Sequence, residues 1–458
     1  MHLAQTFRRE RSHQARDDNP NHDPFNFSAL TQRFLQLNRY TQSVTQARAA
    51  IVRDKEQNLP RRHPRSFRLV TYSLLFILGS LGSPALFARD TPSPSRPEVV
   101  AYVFENGDLI QPGQIAARKL TRINYAFALI KDGKIVYGYA HDDENLATLV
   151  ALKRENPSLK VLISVGGWLG SGGFSDMALT KRSRRIFIDS AVNFIDHHQL
   201  DGLDIDWEFP AQRGAGNRFR PEDTHNYTLL FKDLRQRFDR EEKRLHRHLY
   251  LTTAAGALSD FLAHTEMGQV QRYVDDVNLM AYDYYEPGEG PITGNHAPLF
   301  TDPADPRKVS ADRSVHEFER AGVPAAKIVL GVPFYGHTWG EVDDVDHGLF
   351  RPGKRIPNDF SHYNNIQSTM LDHSFIRYWD PFASVPYLYS ANKKVFVSYE
   401  DPQSVALKCK YVLNQNLGGI MFWDYASDPT GALLDTIDKA LWKNSLPSDA
   451  NAGQRADN

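Results

Sequence analysis

The chain is expected to be an α/β protein: a closed (β/α)8 (TIM) barrel with a small α+β insertion between strands seven and eight. Three observations carry that reading. From Val99 onward, eight short β-rich runs alternate with helical patterns; alternation implies a parallel sheet, and eight strands close into a barrel. No glycine-rich phosphate loop opens the first unit, which argues against a doubly wound open sheet. The spacing breaks only once, where about eighty residues separate His337 from Gly418 in place of a single helix.

In chain order, the strands are expected at 99–104, 122–130, 160–168, 201–208, 250–256, 274–283, 327–337 and 418–425. Helical patterns fall at 144–156, 183–198, 221–245, 310–322 and 429–442, with 404–413 preceding the last strand. The helix at Pro221 has proline in its first turn, with Glu222 and Asp223 at the positive end of its dipole. The long gap places the insertion at about 340–397, on the face where barrel loops gather, so that it walls a cleft.

Composition sets the outer limits. The chain has 458 residues, a net charge of -1 and 41% hydrophobic residues. That supports a packed core and gives no reason to expect nucleic acid or an anionic surface as partner. Cys409 is the only cysteine, so neither an internal disulfide nor a cysteine-based metal site is possible. Residues 1–66, rich in Arg, Asn, Gln, His and Asp, read as a disordered extension. Arg61, Arg62, Arg65 and Arg68 then precede an uncharged apolar run at 69–88, with small residues at Ser83, Ala85 and Ala88. This makes 67–88 a signal peptide or signal anchor and the bulk of the chain exported. No methionine stands between Met1 and Met177, and a start codon assigned too far upstream would explain the long leader. Residues 89–97, with Pro92, Pro94 and Pro97, form a linker to a catalytic unit at 98–445, and 446–458 is a frayed tail.

The chemistry centres on Asp201-Gly-Leu-Asp204-Ile-Asp206-Trp-Glu208. Side chains two apart on a strand share a face, so Asp204, Asp206 and Glu208 form one row, with neighbouring carboxylates roughly 6–7 Å apart. Three acids in apolar surroundings cannot all ionise, because burial and like charge both raise carboxyl pKa values. A proton shared among the inner acids, with Glu208 kept protonated as an acid, is the expected arrangement. Asp201 and Trp207 have the opposite parity and should face away from the site, Asp201 in a structural role and Trp207 against helices.

That run resembles the D-x-x-D-x-D-x-E signature of family 18 glycoside hydrolases, and DGLDIDWEFP is similar to the chitinases among them. Other motifs follow in order. Lys160-Val-Leu-Ile-Ser164-Val-Gly-Gly-Trp168 resembles the S-x-G-G strand, with Ser164 in the floor behind the acids. Met280-Ala-Tyr282-Asp283 resembles the M-x-Y-D strand end, Gly331-Val-Pro-Phe-Tyr335-Gly336 the seventh strand, and Gly418-Gly-Ile-Met-Phe-Trp423 the eighth.

The resemblance implies substrate-assisted hydrolysis of chitin or chito-oligosaccharides. It gives Glu208 the role of acid and base, and has Asp206 orient the substrate acetamide. Asp204 would exchange a proton with Asp206, Tyr282 would hold the acetyl oxygen, and Asp283 would tune the site. Trp423 is the expected sugar platform, with Tyr102, Phe127, Trp168, Trp339 and Trp379 as further candidates; Met280, Tyr335 and His337 complete the substrate-facing set. Tyr125 shares Phe127's parity and is assigned to core. No cofactor or metal is called for, and a monomer is expected.

Departures from the family pattern are His337 where Arg is common, Phe209 where Tyr is, and the absence of a tryptophan after Tyr284-Tyr285-Glu286-Pro287, which bears on leaving-group binding. The pairs His197-His198 and His246/His248 read as solvated or dipole-complementing at helix ends, and Asp343, Asp344 and Asp346 as a solvated loop. Two other functions fit the same barrel. One is a related N-acetylglucosaminidase acting on N-glycan cores or peptidoglycan. The other is a chitin-binding lectin, although such lectins typically lose the terminal acid.

Overall fold

The computed structural model describes residues 96–443. The extension, the leader, most of the linker and the tail expected from sequence lie outside the described residues. Eight strands form the barrel: β1 (Glu98–Val103), β2 (Arg122–Lys131), β3 (Lys160–Gly166), β4 (Gly202–Asp206), β5 (Tyr250–Gly256), β6 (Asp276–Met280), β7 (Ile328–Pro333) and β8 (Gly419–Trp423). Each pairs in parallel with its neighbour in sequence, and β8 closes on β1 with Ala101 opposite Phe422. Helices such as Lys181–His198, Asp223–Leu245 and Pro402–Asn414 lie between successive strands.

Local chemistry sets the helix starts. Thr180 and Ser183 form a reciprocal capping box, the Ser310 hydroxyl accepts from the Arg313 N–H, and Asp401 caps Gln403 and Ser404 just before Pro402. The third major helix begins at Asp223 rather than Pro221, and Glu222 makes no side-chain cap. Among the described residues no helix is long and apolar enough to cross a membrane.

Apolar side chains occupy two compartments. The larger lies between strands and helices. The smaller is inside the barrel and consists of Val100, Tyr102, Ala126, Phe127, Val329 and Met421. The rest of the interior is unusually polar, with Asn124, Ser164, Asp204, Thr252 and Asn278 all buried. Buried polar groups need partners, so this lining signals a site rather than plain core.

Several boundaries differ from those expected. The seventh strand ends at Pro333, and Tyr335–Gly340 opens a separate five-stranded antiparallel sheet with Lys354–His362, Ile376–Asp380, Val385–Ser390 and Val395–Ser398. The insertion therefore starts at Tyr335 rather than 340. Its apolar alternation runs straight through the junction, which hides the break; there the Phe334 N–H donates to the Trp423 carbonyl. Strand six stops at Met280, so Tyr282 and Asp283 stand on the loop beyond it. A short strand, Lys134–Tyr137, pairs antiparallel with β2 and was not foreseen. A register shift between Ala126 and Ala128 breaks the parity linking Tyr125 to Phe127: Phe127 turns into the barrel while Tyr125 joins the outer core and bonds Asp142. Trp339 is fully buried in the insertion and is no sugar platform. His198 is not solvated; its ring packs against Phe194 and bonds the Tyr137 hydroxyl.

One glycine is decisive for the site. Gly166, at the end of β3, has φ +114, and a Cβ there would sit 2.1 Å from the Asp206 carbonyl oxygen. Gly166→Ala is expected to lose about 3 kcal/mol of unfolding free energy in urea, from the clash and the strained backbone together. Wild-type stability in that variant would show that the close approach is dispensable.

Candidate active site

The acidic row begins deep in the barrel. Asp204 is fully buried and accepts four hydrogen bonds. Tyr102 (2.9 Å) and Ser164 (2.7 Å) donate to its Oδ2, while Thr252 (2.5 Å) and Asn278 (3.1 Å) donate to its Oδ1. Even so, burial outweighs these bonds and raises its pKa. Tyr102, a sugar-platform candidate from sequence, is thus turned onto Asp204 behind the row, and Ser164 lies in the floor behind the acids rather than against substrate. Thr252 and Asn278 were missed. Both are polar residues at the interior parity of otherwise apolar strands, a signal that could have found them.

Asp206, on the next inward position, is 3% exposed, and its Oδ1 is buried without a hydrogen-bond partner among the described residues. Burial, then the neighbouring charges of Glu208 and Asp204, push its carboxyl well above the usual range. Glu208 lies two residues past the strand, at the mouth. Its N–H donates to Ser171 Oγ (2.8 Å), and Ser171 in turn lies 3.1 Å from the Asp206 carbonyl, pinning the strand end. Enclosure, then Asp283 and Glu286, push the Glu208 carboxyl up to about 8. Asp201 faces away and accepts the Val161 N–H (2.7 Å), while Trp207 stacks on Phe174 at 5.1 Å in the outer core.

Around the row the aromatic residues fall into two groups. Trp423 is partly exposed and is backed by Phe127 (5.4 Å, 20° between planes) and Phe104 (5.7 Å, 27°), with Met280 and Tyr282 beside them. Phe104 was not anticipated. Among the described residues the Tyr282 hydroxyl donates to the Met421 sulfur at 3.9 Å, a weak acceptor that a ligand oxygen would replace. Burial and Asp283 keep that phenol neutral. Trp168 stands apart on the rim, half exposed, against Phe209.

A second knot centres on Asp283, whose Oδ1 accepts from Tyr335 (2.6 Å) and pairs with His337 Nε2 (2.8 Å). His296, missed from sequence, places its Nδ1 3.6 Å from the same oxygen, an electrostatic contact rather than a hydrogen bond. Burial alone would raise Asp283, but the His296 and His337 imidazoles reverse this and hold it well below the carboxylate range. Burial likewise opposes a charged His337, yet Asp283 raises its pKa; His296 is pushed down to about 4 by burial. The arrangement can deliver a proton from Glu208, accept a polar N–H at Asp206 and donate from Tyr282, above an aromatic floor.

Residues 98–428 match the family described as "Glycosyl hydrolases family 18". The chain is 34% identical over 392 residues to "Chitinase A1" of Niallia circulans, covering 79% of this chain and 55% of that protein. It therefore spans little more than half the length of that relative. It is 32% identical to "Chitotriosidase-1" of Mus musculus, covering 68% of each chain. A solved family 18 N-acetylglucosaminidase from Paenibacillus barengoltzii superposes with a TM-score of 0.69 at 40% identity, covering 75% of this chain and 99% of that one.

The raised Glu208 carboxyl has a consequence for stability. The folded protein keeps a proton up to about 8, which an unfolded glutamate releases near about 4.3. The stability that this proton supplies is complete below the unfolded value and is lost as pH climbs through the folded one. In urea unfolding across that window, Glu208→Gln should gain progressively on wild type and level off above it. A constant difference at every pH would mean that Glu208 is not held protonated.

Proposed function

The chain belongs to glycosyl hydrolases family 18, and from that premise we propose that it is a chitinase. It hydrolyses β-1,4 bonds between N-acetylglucosamine units, with retention, by substrate-assisted catalysis. The observation that carries this is the graded row of acids. The innermost is locked by four donors, the middle one has a buried oxygen without a partner, and the outermost keeps its proton at neutral pH.

Retention by a protein nucleophile needs a free carboxylate facing the anomeric carbon. Asp204 is enclosed with both oxygens engaged, and Asp283 is held by Tyr335 and His337. Asp206 shares the row with the acid and is itself held towards its protonated form. Glu286, the other carboxyl acting on Glu208, is likewise pushed up to about 7 by burial, so the nucleophile is the acetyl oxygen of the sugar. Glu208 protonates the glycosidic oxygen as the acetyl oxygen attacks the anomeric carbon; the glycosidic C–O bond breaks, the leaving sugar departs with the proton as its hydroxyl, and an oxazolinium ion remains. Asp206 accepts the acetamide N–H through its unpartnered oxygen and stabilises the developing positive charge. The Tyr282 hydroxyl donates to the acetyl oxygen and holds it in line. Trp423 lies under the reacting sugar, and Trp168 extends the platform along the rim. Glu208, now a carboxylate, takes a proton from water, which opens the ion with retention.

Chitin is an extracellular polymer, and export through the 67–88 leader is part of this proposal. The lectin reading is set aside because the terminal acid is present. N-acetylglucosaminidase activity is the second reading, supported by the likeness to the Paenibacillus protein.

On chitohexaose, the β-anomer should appear first at the new reducing end, and Glu208→Gln should lower kcat at least about 10³-fold. Initial release of the inverted anomer would sink the mechanism, whereas single sugar units alone would select the N-acetylglucosaminidase reading. Asp206→Asn should lower turnover by about 10²-fold or more while its melting temperature holds. Joint collapse of melting and ligand binding would instead make Asp206 structural.

A further inference from the structure

Asp283, His296 and His337 bring three metal-ligating side chains together beside the acidic row, where the proposed mechanism uses only Asp283. Asp283 follows β6, His296 comes later in the β6–β7 connection, and His337 lies on the first strand of the insertion. One ligand atom from each falls within 4.8 Å of the others. His337 Nε2 is 2.8 Å and His296 Nδ1 3.6 Å from Asp283 Oδ1. Tetrahedral zinc with bonds of about 2.1 Å sets its ligand atoms about 3.4 Å apart. The two separations from Asp283 bracket that spacing, and the imidazole nitrogens lie within 4.8 Å of one another, within reach of side-chain adjustment around one ion.

His296 supplies an independent indication. It is fully buried, and neither ring nitrogen has a hydrogen-bond partner among the described residues. Buried polar atoms are nearly always paired, and an imidazole left bare beside a carboxylate and a second imidazole lacks a ligand. Its backbone is anchored: the His296 N–H donates to Ser398 Oγ (2.8 Å), and the Ala297 carbonyl accepts from buried Lys408 (2.7 Å), which also pairs with Glu400. The His296 and His337 rings stand at 81° to one another, approaching the shared oxygen from different directions. The Asp283 side chain is 35% exposed, which provides an entry path and an open coordination position.

We propose that Asp283, His296 and His337 form a binding site for a divalent transition metal of the zinc class. Two imidazoles and one carboxylate favour zinc, cobalt, nickel or copper over magnesium or calcium. Binding displaces any proton on the coordinating His337 nitrogen, so affinity rises with pH. It also draws Asp283 away from Tyr335, so turnover falls as the site fills. This last effect rests on the proposed function; the binding itself does not.

The test is titration of the full chain, stripped of metal, with zinc chloride by calorimetry and with cobalt chloride by visible absorption. One equivalent should bind with micromolar affinity, and the cobalt spectrum should be that of a four- or five-coordinate nitrogen and oxygen site. His296→Gln should weaken binding at least about 10-fold. His337→Gln provides the same comparison should the first variant fail to fold. Asp143, His197 and His198 form the other cluster with suitable spacing, two of them exposed, so His197→Gln serves as the control and should leave the affinity unchanged. Absence of binding at about 1 mM zinc overturns the proposal. So does binding that survives both His296→Gln and His337→Gln, or that is lost in His197→Gln. Loss of hydrolysis with the zinc isotherm intact would count against the chitinase assignment alone.

Discussion

The site depends on the difficulty of ionising carboxylates in a dry place beside one another. Asp204, Asp206 and Glu208 project from one short strand, and burial raises all three. The barrel resolves this by unequal treatment. Four donors from four other strands converge on Asp204, the Asp206 carboxyl receives none from any described side chain, and Glu208 is carried beyond the strand to the mouth. A gradient of solvation along a single row separates the three carboxyls, which the proposed mechanism uses as anchor, acceptor and proton donor. The interior of this barrel is accordingly a polar well lined by a few aromatic rings, unlike the layered aliphatic filling common in the fold.

Asp283 shows the opposite treatment. It is close enough to raise Glu208, yet its own proton is driven off by the His296 and His337 imidazoles, while the Tyr335 hydroxyl donates to the same oxygen as His337. A fixed negative charge beside a carboxyl that must keep its proton is a simple way to hold the two groups' affinities apart. The surrounding protein maintains it through the Tyr335 and His337 strand and through the buried Lys408–Glu400 pair that grips the His296 loop.

Much of this was legible from residue order because strand parity is strict. Alternation placed Asp204 and Asp206 inward and Asp201 and Trp207 outward without any knowledge of the fold. Parity failed where the backbone departs from a regular strand. The bulge at Phe127 reversed the relation to Tyr125. The end of β7 at Pro333 was concealed because the insertion's first strand continues the same apolar alternation. Lys134–Tyr137, although made largely of strand formers, is at four residues too short to announce itself. His296 could not have been found at all: it is one histidine in a long irregular connection, and only the folded chain brings it to Asp283. Thr252 and Asn278 were within reach, since a polar side chain at an inward position of an apolar strand asks for a partner.

The antiparallel sheet begins at Tyr335, two residues after the barrel strand ends, and its first strand hands Tyr335 and His337 directly to Asp283. The inserted sheet and the acidic site are therefore a single mechanical part, not a scaffold with an exchangeable attachment. Any rocking of that sheet would be felt at Asp283, and through it at the Glu208 carboxyl. Transplanting the sheet onto another barrel would likewise carry Asp283's partners away with it.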